Sequence, residues 1–107
     1  MLEITPEKAF AEISSGQSIG IDVRESDEWS AGRAPKVSWN PKSAFNLSAM
    51  PKNQRVILIC RSGNRSGQLA TEFADQNKDI SNMAGGMKAW KEAGLPMECD
   101  SGNPEVI

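Results

Sequence analysis

A short, continuously apolar run in the middle of the chain is followed at once by a loop rich in glycine and arginine. The run is Val-Ile-Leu-Ile at residues 56–59, and residues 60–67 then read Cys-Arg-Ser-Gly-Asn-Arg-Ser-Gly. A brief β-branched run without polar alternation is typical of a strand that is buried on both faces. Strands of that kind occur in parallel sheets covered by helices, so the run favours an α/β fold.

Strand and helix signals alternate along the rest of the chain. Strands are also predicted at 19–23, 36–39 and 79–83. The helix signals lie between Thr5 and Gly16, after a Ser26 cap, at 43–50, at about 66–76 and at 87–93. This alternation predicts an α/β layer with a mostly parallel sheet.

The composition excludes several kinds of catalytic site. Among the 107 residues there is no histidine and no tyrosine, so imidazole-based triads and a phenolic nucleophile are impossible within this chain. Its two cysteines, Cys60 and Cys99, are too few for a four-thiolate metal centre, and no metal site is expected. A nucleophile in this chain therefore needs activation by something other than an imidazole.

Charge and hydropathy indicate which partners and which compartment to expect. The net charge of −2 gives no general attraction to nucleic acid or to an anionic membrane, and no apolar run is long enough to cross a bilayer. The sequence opens without the basic and apolar regions of a secretory signal, and two cysteines do not make a disulfide framework. We therefore expect a cytoplasmic protein with neither nucleic acid nor membrane as a partner.

The loop after the buried strand offers a way to activate a cysteine without histidine. Cys60 follows the strand and precedes a predicted helix, the position where ligands gather in open α/β sheets. Gly63 and Gly67 let the loop curl so that backbone N–H groups point inward and stabilise a thiolate. Arg61 and Arg65 add positive charge, so we expect a lowered pKa for Cys60. The simpler interpretation is a buried cysteine followed by an ordinary polar loop.

The spacing of the loop favours sulfur chemistry over phosphate chemistry. Cysteine phosphatases need an arginine after the cysteine and five further residues. Here Arg65 follows Cys60 after four residues, and Ser66 stands where that arginine is needed. The tighter ring suits a single sulfur atom carried on Cys60 better than a tetrahedral phosphate. A cysteine phosphatase or arsenate reductase is the less favoured alternative.

Three segments together resemble the rhodanese (sulfurtransferase) family. Residues 21–25 with Glu28, Trp29 and Gly32 are similar to its first signature, residues 60–66 to its active loop, and residues 85–96 to its C-terminal signature. The resemblance implies one rhodanese-like domain over residues 1–97, with a central, mostly parallel sheet of about five strands flanked by helices on both faces. Residues 98–107 are expected to form a polar C-terminal tail. One departure is Gly-Arg-Ala-Pro-Lys-Val at residues 32–37, where the family usually has Gly-His-Ile-Pro-Gly-Ala.

The resemblance also implies an activity and a set of site residues. A thiosulfate sulfurtransferase moves a sulfane sulfur from thiosulfate or a related donor, through a persulfide on Cys60, to cyanide, a small thiol or a protein thiol. No metal or organic cofactor is needed. The residues that would cradle the persulfide are Arg61, Ser62, Gly63, Asn64, Arg65 and Ser66. The alternatives are a sulfur-relay module and a non-catalytic partner-binding domain.

Three residues outside the loop are candidates for a supporting role. Asp22 and Arg24 lie near the end of a neighbouring strand, and an ion pair that links strand to helix is the simpler interpretation beside catalysis. Trp39 ends a strand on the same side, where it is expected either to line the mouth of a pocket or to pack. Cys99 is expected to be an incidental thiol, because no basic or helix-start environment surrounds it.

Overall fold

A five-stranded parallel sheet forms the centre of the protein, which is described by a computed structural model over residues 2–74 and 79–107. The strand order is β1-β5-β4-β2-β3, and every neighbouring pair is parallel. The strands are β1 (Leu2–Ile4), β2 (Ser18–Asp22), β3 (Ser38–Trp39), β4 (Arg55–Ile59) and β5 (Ile80–Met83). The predicted α/β class and the number of strands are confirmed.

Four α-helices connect and cover the strands in the described residues. They are α1 (Pro6–Ser14), α2 (Ser26–Ala31), α3 (Asn64–Phe73) and α4 (Gly86–Glu92). The predicted start of α1 is confirmed, because Thr5 caps it through a hydrogen bond from the Lys8 N–H and Pro6 is its first residue. None of the helices described is both long and apolar enough to cross a membrane.

The pleat of β4 distributes its side chains between two separate cores. Ile57 and Ile59 pack on the side of α1 and α4, in a cluster that includes Ala9, Ile13, Met87 and Trp90. Val56 and Leu58 pack on the opposite side, with Leu69 and Ala70 of α3. All four β4 side chains are fully buried, each contributing about 1.5–3 kcal/mol of hydrophobic free energy. Since the faces alternate, the next residue, Cys60, lies on the α3 side.

One strand prediction differs from the structure, and one strand of the structure has no counterpart among the predictions. The strand predicted at 36–39 is reduced to Ser38 and Trp39, because Lys36 has a left-handed φ of 66° that a strand does not accommodate. Lys36 also stands where the resembled family has glycine, which takes this conformation without strain. Strand β1 is absent from the sequence-based prediction. It is a three-residue edge strand in which Leu2 is 64% exposed, so it has no buried pattern to detect.

Three helix predictions also need correction. The helix predicted at 43–50 is instead two short 3₁₀ segments, Lys42–Ala44 and Leu47–Ala49. Between them, the side chain of Asn40 bonds both the N–H and the carbonyl of Asn46, which competes with helical hydrogen bonding. Helix α2 is capped by Glu25, in a reciprocal capping box with Glu28, and not by Ser26. Helix α3 begins at Asn64, and the predicted end at 75–76 lies outside the residues described.

The C-terminal segment 98–107 lies along the end of α2 and reaches the loop that follows β4. Glu98 forms an antiparallel bridge with Arg33, and the Glu105 N–H donates to the Ala31 carbonyl at 2.9 Å. At the far end, Arg61 Nε donates to the Ile107 carbonyl at 2.9 Å. This segment therefore contacts the same loop that the sequence selects as the functional one.

Candidate active site

Cys60 lies at the carboxyl edge of the sheet, between the end of β4 and the start of α3. Its side chain is fully buried. Gly63, the N-cap of α3, has a left-handed φ of 98°, a conformation open to glycine at little cost. The Gly63 N–H donates to Cys60 Sγ at 3.0 Å. The glycine of the loop thus aims a backbone donor at the sulfur, as the sequence predicts.

Hydrogen bonds around the sulfur stabilise its thiolate form. The Ser66 hydroxyl, also fully buried, lies 3.2 Å from Cys60 Sγ. Burial raises the pKa of Cys60, but hydrogen bonds from the Ser66 hydroxyl and from the amides of Ser66, Gly63 and Ser62 outweigh it, so the net pKa is lowered. The predicted direction is therefore confirmed, and the main favourable cause is hydrogen bonding.

Asn82 of β5 bonds this loop from the neighbouring strand, and it is a site residue that the sequence did not predict. Its Nδ2 donates to the Gly63 carbonyl at 3.0 Å, and its Oδ1 accepts a hydrogen bond from Ser66 Oγ. Asn82 is only 3% exposed. An asparagine inside a buried strand was the available signal, because buried amides require partners.

The start of α4 closes the loop from the other side. The N–H groups of Met87 and Lys88 donate to the carbonyls of Cys60 and Arg61, at 2.8 and 2.9 Å. Gly86 has a φ of 59°, and a Cβ there would lie 2.6 Å from the carbonyl carbon and oxygen of Arg61. Gly86 is therefore required by a close backbone approach to the loop as well as by its turn.

The two loop arginines have different environments. Arg65 forms a two-point ion pair with Glu28 of α2, with Nη1–Oε1 at 2.8 Å and Nη2–Oε2 at 2.7 Å. Hydrogen bonding to Glu28 is the main reason that the pKa of Arg65 is raised, and the charge of Cys60 contributes in the same direction. Arg61 is exposed and donates only to a backbone carbonyl in the contacts described, that of Ile107.

The candidates outside the loop lie around the connection between β2 and α2. The side chains of Asp22 and Arg24 are both 0% exposed and form an ion pair at 2.8 Å, while Arg24 Nη2 also donates to the Gly32 carbonyl. This is the strand-to-helix link that the simpler interpretation predicts. Trp39 donates from Nε1 to the Arg24 carbonyl at 2.8 Å and stacks on Trp29 at 6.0 Å. These contacts hold Trp39 against that connection.

Cys99 is separate from this site. It is a free, partly exposed cysteine in the C-terminal segment. Its Sγ lies 3.2 Å from the Gly102 carbonyl and 3.4 Å from the Ser101 carbonyl, both acceptors. The Cys99 thiol can donate its proton to these carbonyls, whereas the neighbours of Cys60 donate to the sulfur.

The family model of the rhodanese-like domain matches residues 5–93. The chain belongs to the rhodanese-like domain family. It is 32% identical over 106 residues to thiosulfate sulfurtransferase GlpE of Actinobacillus succinogenes, covering 90% of this chain and 89% of that protein. It is also 32% identical over 85 residues to a sulfurtransferase of Allochromatium vinosum, covering 77% of this chain and 79% of the relative.

The fold of this rhodanese-like domain also matches a solved structure. A rhodanese-related protein from Thermoplasma volcanium has a TM-score of 0.84 at 23% identity, over 92% of this chain and 98% of that one. That likeness shows the fold. The family and the relatives named sulfurtransferases support sulfur transfer as the general activity of the rhodanese-like domain.

Proposed function

We propose that this protein is a thiosulfate sulfurtransferase that carries a sulfane sulfur as a persulfide on Cys60. The observation that carries the proposal is the convergence of hydrogen-bond donors on one sulfur atom, with Gly63 N–H at 3.0 Å and Ser66 Oγ at 3.2 Å. The Gly63 N–H is fixed by the backbone before the reaction, so it stabilises a negative sulfur without reorganisation, and the Ser66 hydroxyl lies within reach as a second donor. They serve the Cys60 thiolate first and a persulfide anion afterwards.

The first half-reaction loads the cysteine. The Cys60 thiolate attacks the outer sulfur of thiosulfate or a related donor, forming a new S–S bond. The S–S bond of thiosulfate breaks, and sulfite leaves with its electron pair. The lowered pKa of Cys60 supports this step, because it increases the thiolate fraction near neutral pH.

The second half-reaction removes the sulfur from Cys60. A thiophilic acceptor, which is cyanide in an assay and a small or protein thiol in the cell, attacks the outer sulfur of the persulfide. The persulfide S–S bond breaks, and its electron pair returns to Cys60 as the thiolate. The residues proposed to cradle the persulfide between the two steps are Arg61, Ser62, Gly63, Asn64, Arg65 and Ser66. Each step balances without a metal or an organic cofactor.

The two loop arginines have different electrostatic roles. The charge of Arg65 is largely matched by Glu28, and the pair joins α3 to α2 beside the sulfur. Arg61 is exposed, and its described contact is with the main-chain oxygen of Ile107 and not with a side-chain carboxylate. We assign attraction of the anionic donor chiefly to Arg61 and stabilisation of the loop chiefly to Arg65.

The chemistry also bears on location. A carrier cysteine must stay unoxidised between turnovers, and cytosolic glutathione and thioredoxin keep thiols reduced. We therefore propose a cytoplasmic location for this protein.

Thiosulfate-dependent conversion of cyanide to thiocyanate tests the proposed function. Cys60→Ser should abolish the reaction, while the matched variant Cys99→Ser should keep most of it. Equal loss in both variants would contradict a single carrier thiol. If the wild-type protein hydrolysed p-nitrophenyl phosphate and formed no thiocyanate, the result would contradict sulfur transfer and favour the phosphatase alternative.

A further inference from the structure

Asn82 joins the two residues whose groups face the sulfur of Cys60. It lies on β5, paired in register with Leu58 of β4, so its side chain reaches the loop from the adjacent strand. One end of its amide bonds the Gly63 carbonyl and the other end bonds the Ser66 hydroxyl. A single buried side chain is thus in contact with both the backbone and the hydroxyl donor.

The orientation of the Asn82 amide follows from its neighbours. The Gly63 carbonyl can only accept, so the Asn82 NH₂ group must face it, and the bond is 3.0 Å long. The amide oxygen then faces Ser66 Oγ and can only accept from it. A hydroxyl has one proton, and here it has two acceptors within reach, Asn82 Oδ1 and Cys60 Sγ.

The position of that proton depends on the state of Cys60. When Cys60 is a thiol, its S–H can donate to Ser66 Oγ, which leaves the Ser66 hydroxyl proton for Asn82 Oδ1. When the S–H bond breaks, the proton leaves to solvent and the electron pair stays on sulfur. The Ser66 hydroxyl then turns to the thiolate, the stronger acceptor, and Asn82 Oδ1 loses its donor.

We propose that Asn82 is a positioning residue that holds the Ser66 hydroxyl while Cys60 is protonated and releases it to the sulfur on ionisation. The role in turnover rests on the proposed function, whereas the coupling itself concerns the free thiol. Asn82 has two opposing effects on Cys60. Its Nδ2 fixes the peptide that presents the Gly63 N–H, which favours the thiolate, and its Oδ1 competes with the sulfur for the Ser66 proton, which favours the thiol.

A double-mutant cycle separates these two effects. The pKa of Cys60 is measured from the pH dependence of its alkylation by iodoacetamide in four proteins, all carrying Cys99→Ser: the parent, Asn82→Leu, Ser66→Ala and the double variant. The Nδ2 contact is lost whether the Ser66 hydroxyl is present or has been removed, so its effect cancels in the difference. The remaining difference in pKa measures the coupling between Asn82 and Cys60 through the Ser66 hydroxyl.

The proposal fixes the sign of that coupling. The shift that Asn82→Leu causes in the pKa of Cys60 is compared between the Ser66 and the Ser66→Ala backgrounds. With Ser66 present, that shift should lie about 0.5 to 1 unit lower than in Ser66→Ala, which is a three- to tenfold difference in the ionisation constant. A coupling of zero, or one of the opposite sign, would overturn the proposal. A residue with only a structural role moves the pKa equally in both backgrounds.

The charged groups around the thiol are constant in this comparison. Arg65 of α3 interacts with Cys60 by charge, and Glu28 of α2 pairs with Arg65. Arg61 follows on the loop, and Asp22 at the end of β2, in register with Ile59, is paired with Arg24. None of them is altered in any of the four proteins, so their effects cancel as well.

A second measurement covers the case in which Asn82→Leu does not fold. In the wild-type protein, the side-chain ¹³Cγ resonance of Asn82 should titrate with the pKa of Cys60, because Oδ1 loses a hydrogen bond on ionisation. In Ser66→Ala, most of that titration should disappear, and its persistence would overturn the proposal. Thiocyanate formation is recorded separately: coupling without sulfur transfer contradicts the proposed function alone, and sulfur transfer without coupling contradicts this inference alone.

Discussion

Arg65 and Glu28 form a two-point ion pair that ties the first turn of α3 to α2, next to the buried sulfur of Cys60. The Glu28 side chain is 13% exposed and that of Arg65 is 33% exposed. Hydrogen bonding to Arg65 is the main reason that the pKa of Glu28 is lowered. This pair therefore connects the stability of the fold with the geometry of the loop.

Arg65→Gln should lower the free energy of unfolding by about 1–2 kcal/mol, because it leaves the half-buried Glu28 carboxylate without its cation. Since the pairing lowers the pKa of Glu28, its stabilisation is present above the ordinary glutamate range. It is lost as the pH falls through the lowered value. Urea denaturation at neutral and acidic pH measures this, and a wild-type advantage that grows on acidification would contradict it.

Arg61→Gln should raise the KM for thiosulfate about fivefold, and more than Arg65→Gln raises it. One exposed charge near an anion is worth about 1 kcal/mol in water, and the charge of Arg65 is already matched. The control variant is Lys91→Gln, which removes a cation from the last turn of α4. Steady-state kinetics with thiosulfate and with an uncharged donor measure the effect. An equal penalty for both donors would indicate a damaged loop and contradict donor attraction.

Gly86→Ala should destabilise the protein and abolish most of the activity, while Gly94→Ala should be mild. Both glycines have positive φ, 59° and 71°, so both substitutions cost about 1–2 kcal/mol of backbone strain. A Cβ at Gly86 also meets the Arg61 carbonyl at 2.6 Å, whereas nothing lies within 4 Å at Gly94. Thermal unfolding and thiocyanate formation compare the two variants. Equal losses would mean that the close approach to the loop is unimportant.

The two thiols should react in opposite orders with small and bulky reagents. Cys60 is fully buried under its loop and Cys99 is partly exposed, so the aromatic disulfide DTNB should modify Cys99 first. The lowered pKa of Cys60 should make it the faster thiol toward the small reagent iodoacetamide. Peptide mapping assigns each product, and Cys99→Ser is the control that should remove the fast DTNB phase. A fast DTNB phase at Cys60 would contradict the enclosed geometry.

The sequence was most informative where structure is determined locally. The continuous apolar run of β4 predicts a strand buried on both faces, and the pleat then places Cys60 beside α3. The glycines and small residues of the loop predict a turn of N–H groups toward the sulfur, because that conformation depends on the loop's own residues.

The remaining features depend on contacts that the local apolar pattern does not contain, and most of these join distant segments. Strand β1 exists because β5 pairs with it, and its exposed Leu2 shows no buried periodicity. The helix predicted at 43–50 is interrupted by hydrogen bonds between the side chain of Asn40 and the backbone of Asn46, which the apolar periodicity does not predict. Asn82 and Glu28 reach the site only after the sheet and helices have packed.

Mass spectrometry of the intact protein after incubation with thiosulfate tests the central claim most directly. A persulfide carrier on Cys60 should gain one sulfur atom, mapped by peptide analysis to Cys60, and lose it completely to cyanide. The same adduct should form in Cys99→Ser and be absent in Cys60→Ser. A protein that stays unmodified, or that carries the added sulfur on Cys99, would contradict the account.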